Sequence, residues 1–424
     1  MLPKKKSINP TLGKERIEVL DILRGFALFG VIVMNMSVDT LWAESFVFHT
    51  PGVVDNIIAG LLRFFGAGKF LTLFSFLFGL GLVMQIQRST VRGVHYFPLL
   101  LRRLLVLLII GLMHYLLIGW TDILHVYAGL GIVLLFFHRG SARTLLIFAV
   151  SIILLNVGHP KPLFIMAGEK VSSSLRTKST ASEHSNNQEN RQESIETNEE
   201  SEHLEQSIRI YATGSYDEIL DENWNDFAGY MKDFAPRWWL GSLFPLLLLG
   251  AYVARRGILE NIEEHLLFFR RVLWWGLAIG MSCSTLTLLG ETLLKDHLLP
   301  FSVRQLKSLS DVVGIRALGF SYASGLILLL RNQKWRKRLT PIATVGRTAF
   351  TNYLLQTVFA VILFFSVGLG LYGQVSPILG AILAITFFAF QILLSSWWLK
   401  KFRYGPVEWL WRSFTYGQLQ RMRN

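Results

Sequence analysis

The chain has 424 residues, of which 52% are hydrophobic, 13% aromatic and only 17% charged; an ordinary soluble protein carries roughly 25% charged residues, so a string of water-soluble domains is excluded. A single cysteine, Cys283, excludes an internal disulfide framework and a cysteine-held zinc or iron–sulfur centre. The net charge of +13 would suit a nucleic-acid partner, but residues 158–236 hold 15 acidic and 7 basic side chains, which leaves the rest of the chain at +21 and asks for a topological explanation first.

Apolar runs of about 17 to 25 residues, the length that crosses a hydrocarbon core of ~30 Å at 1.5 Å per residue, recur from end to end. They predict an all-α, polytopic integral membrane bundle of about ten transmembrane helices, at 18–36, 70–86, 98–118, 122–137, 141–157, 237–254, 267–290, 311–330, 342–365 and 377–399. Basic residues gather at alternate ends of these spans, 27 of them on one side. By the positive-inside rule both termini are cytoplasmic and the acidic segment lies outside a bacterial cell membrane. The positive charge is thus a topology signal, and membrane lipids, not nucleic acid, are the expected surroundings. The chain divides into an N-terminal membrane half (1–157), an extracytoplasmic acidic loop (158–236) and a C-terminal membrane half (237–424).

In the first span Asp21 and Arg24 share a helical face, and Asn35 returns to it eleven residues after Arg24, ~20° round and ~16 Å along. Ionisable groups within a span cost roughly 2.5 to 3.5 kcal/mol, so each needs a reason. A structural ion pair is one, and the wall of a wet groove is another. Residues 53–66 are apolar but short and read as an interfacial or re-entrant helix leading into the second span. Arg63, Lys69 and Ser75 lie at that span's outer end, where a cation can hold an anionic head group or an oxyanion, or simply anchor. Gly79 and Gly81 in LFGLGL fit close helix packing.

His114 lies near the outer end of the third span, and Asp122 follows across a tight connection. A carboxylate that fixes an imidazole's tautomer makes a general base for an acceptor hydroxyl or amine; the other reading has Asp122 cap the fourth helix. Residues 172–206, rich in Ser, Glu and Asn, are expected to be disordered, and 216–234 to form an amphipathic helix that caps the bundle or lies on its outer surface. The ninth span offers Thr348, Asn352 and Gln356 at four-residue spacing beside Tyr353, a stripe that binds helices together or faces a substrate. Arg347 and the basic run 331–338 offer a dock for acidic lipid or the phosphates of coenzyme A, and WLWRSFTY at 409–416 an interfacial anchor. Neither a nucleotide-gripping P-loop nor H-E-x-x-H occurs, and the ten histidines lack ligand spacing, so no metal is expected.

The stretch DILRGFALFGVIVMN at 21–35 resembles the first span of the transmembrane acyltransferase superfamily, whose members carry D-x-x-R and then a histidine eleven residues on; here that position is Asn35. His49 in the following outer loop is a second histidine candidate, at a different spacing. Over nearly the whole chain the sequence resembles the YeiB family of bacterial membrane proteins. The marks are GKFLTLFSFLFGLGL at 68–82, RRLLVLLIIGLMHYLLIGWTDILHVYA at 102–128, YATGSYDEI at 211–219, GRTAFTNYLLQT at 346–357 and GPVEWLWRSFTYG at 405–417. That resemblance favours His114 over His49 as a site residue.

These readings converge on an acyltransferase-like protein. An acyl-CoA donor, acetyl by superfamily analogy, approaches from the cytoplasm near Arg24; an envelope or lipid-linked acceptor is modified near His114, with Asp122 orienting the base and Asn35 in the catalytic group. Asp21, Arg24, Lys69, Arg347 and Asn352 are the candidates for holding the donor. A secondary transporter, with five spans in each half, and a lipid-binding scaffold without turnover are the alternatives.

Overall fold

The computed structural model describes residues 18–39, 52–91, 96–119, 122–137, 140–157, 205–234, 239–293 and 301–423. His49 and most of the segment expected to be disordered lie outside them. Apart from one isolated bridge between Phe402 and Arg423, regular structure among the described residues is helical. Among the described residues, six helical stretches are long and apolar enough to cross a membrane: Glu18–Val38, Val53–Val91, Phe97–Ile118, Ile262–Leu289, Leu309–Leu329 and Pro377–Lys401.

The other four expected spans are shorter apolar helices of 10–17 residues, and a 13-residue helix reaches only ~20 Å. The shortfall has local causes. The expected span 342–365 breaks at Thr348 (φ −112°, ψ 37°), which separates the basic helix α12 (Gln333–Arg347) from α13 (Ala349–Phe364). The span expected at 237–254 spends its first turn in π-helical geometry, Trp239–Leu243, before α9 (Phe244–Arg255) begins.

In chain order the remaining helices are α1 (Glu18–Met34), which ends in a π-helical turn at Asn35–Asp39, α2 (Val53–Phe65), α3 (Lys69–Val91), α4 (Phe97–Ile118), α5 (Leu124–Phe136) and α6 (Ala142–Val157). Then come α7 (205–213), α8 (Tyr216–Gly229), α10 (Leu266–Leu293), α11 (Phe301–Leu329), α14 (Pro377–Lys401) and α15 (Pro406–Tyr416).

Small residues let the helices meet backbone to backbone. A Cβ on Gly79 would lie 2.2 Å from the Leu247 carbonyl oxygen, and one on Gly250 would lie 2.0 Å from that of Phe76, so α3 and α9 form a close backbone seam in the core. Gly346 does the same against Asp21, bringing α12 onto α1, and an ion pair from Arg336 to Glu18 closes the open end of that seam. Gly111 brings α4 onto the first turn of α5: a Cβ there would stand 2.4 Å from the His125 amide nitrogen.

The amphipathic segment caps the bundle. Ser215 and Glu218 form a reciprocal capping box that starts α8, and the Ser215 amide and hydroxyl hold the Glu218 carboxyl below its ordinary range. From α8, Asn223 donates to the carbonyl of Leu116 at 3.3 Å and Tyr216 to that of Leu117 at 2.8 Å, satisfying the exposed C-terminal carbonyls of α4.

Candidate functional site

Three side chains from one corner, where α4 turns into α5, come together around a single carboxylate. Asp122 precedes α5 and accepts a hydrogen bond from the His125 amide at 3.1 Å, which caps the helix. The same oxygen, Oδ2, lies 2.8 Å from Nδ1 of His125, and Oδ1 lies 3.0 Å from Nδ1 of His114 on α4. The second contact is at ion-pair distance but off the hydrogen-bonding line. All three residues are buried, and Nε2 of each histidine has no hydrogen-bond partner among the described residues.

One carboxylate thus caps the helix and lies against two imidazoles at once. Gly111 and His114, three residues apart on one face of α4, make this possible, because the glycine brings α5 close enough for His114 to reach Asp122.

The two histidines face different surroundings. His125 sits among aromatic rings, with centroids of Tyr115 at 5.4 Å, Trp239 at 5.5 Å, Phe227 at 6.0 Å and Tyr230 at 6.5 Å. Trp239 is fixed in turn by donating to the Tyr230 hydroxyl at 2.6 Å. His114 instead faces Tyr353 of α13, 5.8 Å between ring centroids, and the Tyr353 hydroxyl accepts from the Ile123 amide at 3.4 Å. Tyr353 also lines a cavity of about 60 Å³ together with Asn35, Gln356, Ile118 and Gly119. That is room for about two waters at ~30 Å³ each.

The other candidate positions lie apart. Asp21 and Arg24 form an ion pair at 3.1 Å toward the opposite end of α1, and Gly81 leaves room for the guanidinium, since a Cβ there would stand 3.3 Å from Arg24 Nη2. Lys69 donates to the Arg63 carbonyl at 3.0 Å and so neutralises the C-terminal end of α2. Asn352 donates to Thr348 and Ser395, and Gln356 to Gln391, in the seam between α13 and α14. Arg347 is exposed at the end of α12. The structure thus joins His114 to Asp122, puts Asn35 one residue away across Tyr353, and leaves the five candidate donor-holding groups elsewhere.

His125, which the sequence did not single out, belongs to this centre, and Tyr353, noted only as a neighbour of the Thr348–Asn352–Gln356 stripe, joins it from α13. A D-x-x-H start to an apolar helix was the available signal for the first. For the second nothing tied the residue to this corner, because 230 residues separate Tyr353 from Ile123. A further set of buried charges, Lys307, Asp311 and Arg316, stands on α11; Arg316 donates to the Val312 and Ser242 carbonyls, and Thr287 to Asp311.

A family model described as a protein of unknown function (DUF418) matches residues 253–418. The uncharacterized protein YxaH of Bacillus subtilis (strain 168) is 35% identical over 97% of this chain and 96% of its own length. The uncharacterized protein YeiB of Escherichia coli (strain K12) is 28% identical over 95% of this chain and 96% of its own. The chain belongs to the YeiB-type family. An uncharacterized 39.9 kDa protein from the amylase 3′ region of Bacillus acidopullulyticus is also similar, 26% identical over 97% of both chains. No solved structure matches. Within this YeiB-type chain two of the quoted stretches, GRTAFTNYLLQT and GPVEWLWRSFTYG, meet directly: Glu408 accepts from the Phe350 and Thr351 amides at 2.7 and 3.0 Å.

Proposed function

We propose that this is an integral-membrane acyl-transfer protein whose general base is His114. One observation carries the reading: a buried carboxylate lies against the Nδ1 side of two imidazoles and leaves both Nε2 atoms for protons, beside a small, mainly apolar cavity to which Asn35, Tyr353 and Gln356 bring polar groups. In the step, the acceptor hydroxyl attacks the thioester carbonyl while Nε2 of His114 takes its proton; the C–S bond then breaks and the proton passes to the departing thiolate. The Asn35 amide is the donor for the developing oxyanion. A two-carbon acyl group suits the cavity's size, and the remainder of a coenzyme A donor lies outside it.

In this reading the six long helices and the four shorter ones together make ten crossings, with the basic ends and both termini in the cytoplasm of a bacterial cell membrane. The acceptor is an envelope or lipid-linked hydroxyl on the side of His114. Purified protein given labelled acetyl coenzyme A and membrane acceptor is expected to transfer label, and His114→Ala to lower the rate by about 10² to 10⁴-fold while the unfolding transition is kept. Full activity in that variant removes the base.

The shared carboxylate favours a second reading, a proton-coupled carrier, since intramembrane His and Asp chains also serve as proton relays. Solute-dependent proton uptake into proteoliposomes, lost in Asp122→Asn, with no turnover of thioester, would select it.

A further inference from the structure

Where α3 and α9 end, among the basic residues, the surface holds a hollow of about 480 Å³ whose walls include Gln87, Arg88, Arg255, Arg256, Gly257 and Glu260. Its framework is rigid. The glycine seam fixes α3 against α9, and Gln87 ties the two ends together by donating to the Ala254 carbonyl at 3.3 Å. The chain then reverses at Gly257 (φ +63°), whose amide bonds Ala254 at 3.1 Å while the Ile258 amide bonds Val253 at 3.3 Å. Ile258 and Leu259 are buried and pin the turn from below.

The walls thus present three guanidinium groups and one carboxylate, on two elements packed against each other. The neighbouring acid Glu263 is engaged elsewhere, by two hydrogen bonds from Arg331 at 3.0 and 3.1 Å. Guanidinium forks match phosphate oxygens two at a time, and the volume falls in the roughly 300–1,000 Å³ range of small-molecule sites. Basic hollows between membrane helices on the positively charged side are where phosphorylated head groups bind.

We propose that this hollow binds a phosphate ester, held by Arg88, Arg255 and Arg256. The inference stands independently of acyl transfer. The phosphate has two possible sources, an anionic phospholipid from the bilayer or a soluble nucleotide from the aqueous side, and the chemistry of the walls serves both.

The full-length protein in phosphatidylcholine nanodiscs separates them. In one arm adenosine 3′,5′-bisphosphate is titrated calorimetrically; in the other, phosphatidylglycerol is introduced and retained lipid is counted by native mass spectrometry. Saturable binding in either arm is expected, and the arm that binds names the source. Arg88→Gln with Arg256→Gln is expected to weaken it by about tenfold or more, and Lys401→Gln, an exposed cation over Trp397 and outside the hollow, to leave it unchanged. Glu260→Gln, which removes the one carboxylate and keeps the turn, is expected to tighten binding and gives the answer should the double variant not fold. No binding in either arm, or affinity indifferent to both Glu260→Gln and the arginine changes, overturns the proposal.

Discussion

At the scale of single residues, Asp122 divides its two oxygens between a helix cap and two imidazoles, and Gly111 is what lets the helices come close enough for that. An added Cβ would stand 2.4 Å from the His125 nitrogen and 2.9 Å from its Cα, both backbone atoms that cannot swing aside. Gly111→Ala is therefore expected to cost about 1–3 kcal/mol by overpacking. It also moves His125 and opens the His114–Asp122 contact. A lowered unfolding temperature together with shifted histidine ring resonances checks this; both unchanged would mean that the corner is looser than drawn. His114 and Asp122 were legible in the sequence because each is a polar group at the end of an apolar run. His125 was not, since a residue three after a capping carboxylate reads as an ordinary first turn, and apart from Tyr115 its aromatic surroundings come from Phe227, Tyr230 and Trp239, more than 100 residues away.

At the scale of elements, hydropathy reported where apolar segments lie and was silent on where a helix breaks or what fills its end. The C-terminal stretch illustrates this: α15, expected to be an interfacial anchor, also docks against α4 and α13. Trp411 donates to the Arg103 carbonyl at 2.9 Å, and Glu408 caps the first amides of α13. Burial lifts the Glu408 carboxyl above its ordinary range, against the pull of Thr351 and the two amides. A carboxyl raised in the folded state contributes stability below its unfolded value, ~4.3, and loses it as pH rises through the folded value. The unfolding temperature should therefore fall as pH climbs out of that window, and Glu408→Gln should flatten the fall. Glu408→Ala removes the cap at every pH, for a loss of about 0.5–2 kcal/mol. Thermal unfolding of the three proteins across that pH window, in one detergent, tests both statements; a slope unchanged in Glu408→Gln would place the titration elsewhere.

At the scale of the whole molecule, much of the outer surface is apolar. Trp274 and Trp275 on α10 are 68% and 67% exposed, and Val53, Ile57 and Leu61 form an exposed stripe along α2. Faces of this kind suit a bilayer better than water. The two ends of the bundle can be told apart from packing alone. The last turn of α1, at Asn35, shares a cavity with Ile118 and Gly119 at the end of α4, so α1 and α4 run parallel. The first residue of α1, Glu18, pairs with Arg336 on α12, while α8 covers the far end of α4. Asp221 on α8 and Lys337 on α12, both exposed, are thus separated by the length of α1, ~25 Å for its 17 residues. If the positive-inside rule sets the orientation, Asp221 faces outward and Lys337 the cytoplasm. Starting from Cys283→Ala, which removes the one native thiol, a membrane-impermeant maleimide should label Asp221→Cys in intact cells and Lys337→Cys only after permeabilisation. The reverse pattern would invert the topology and place His114 on the cytoplasmic side, whereas labelling of both in intact cells would mean that the bundle does not span the membrane along α1.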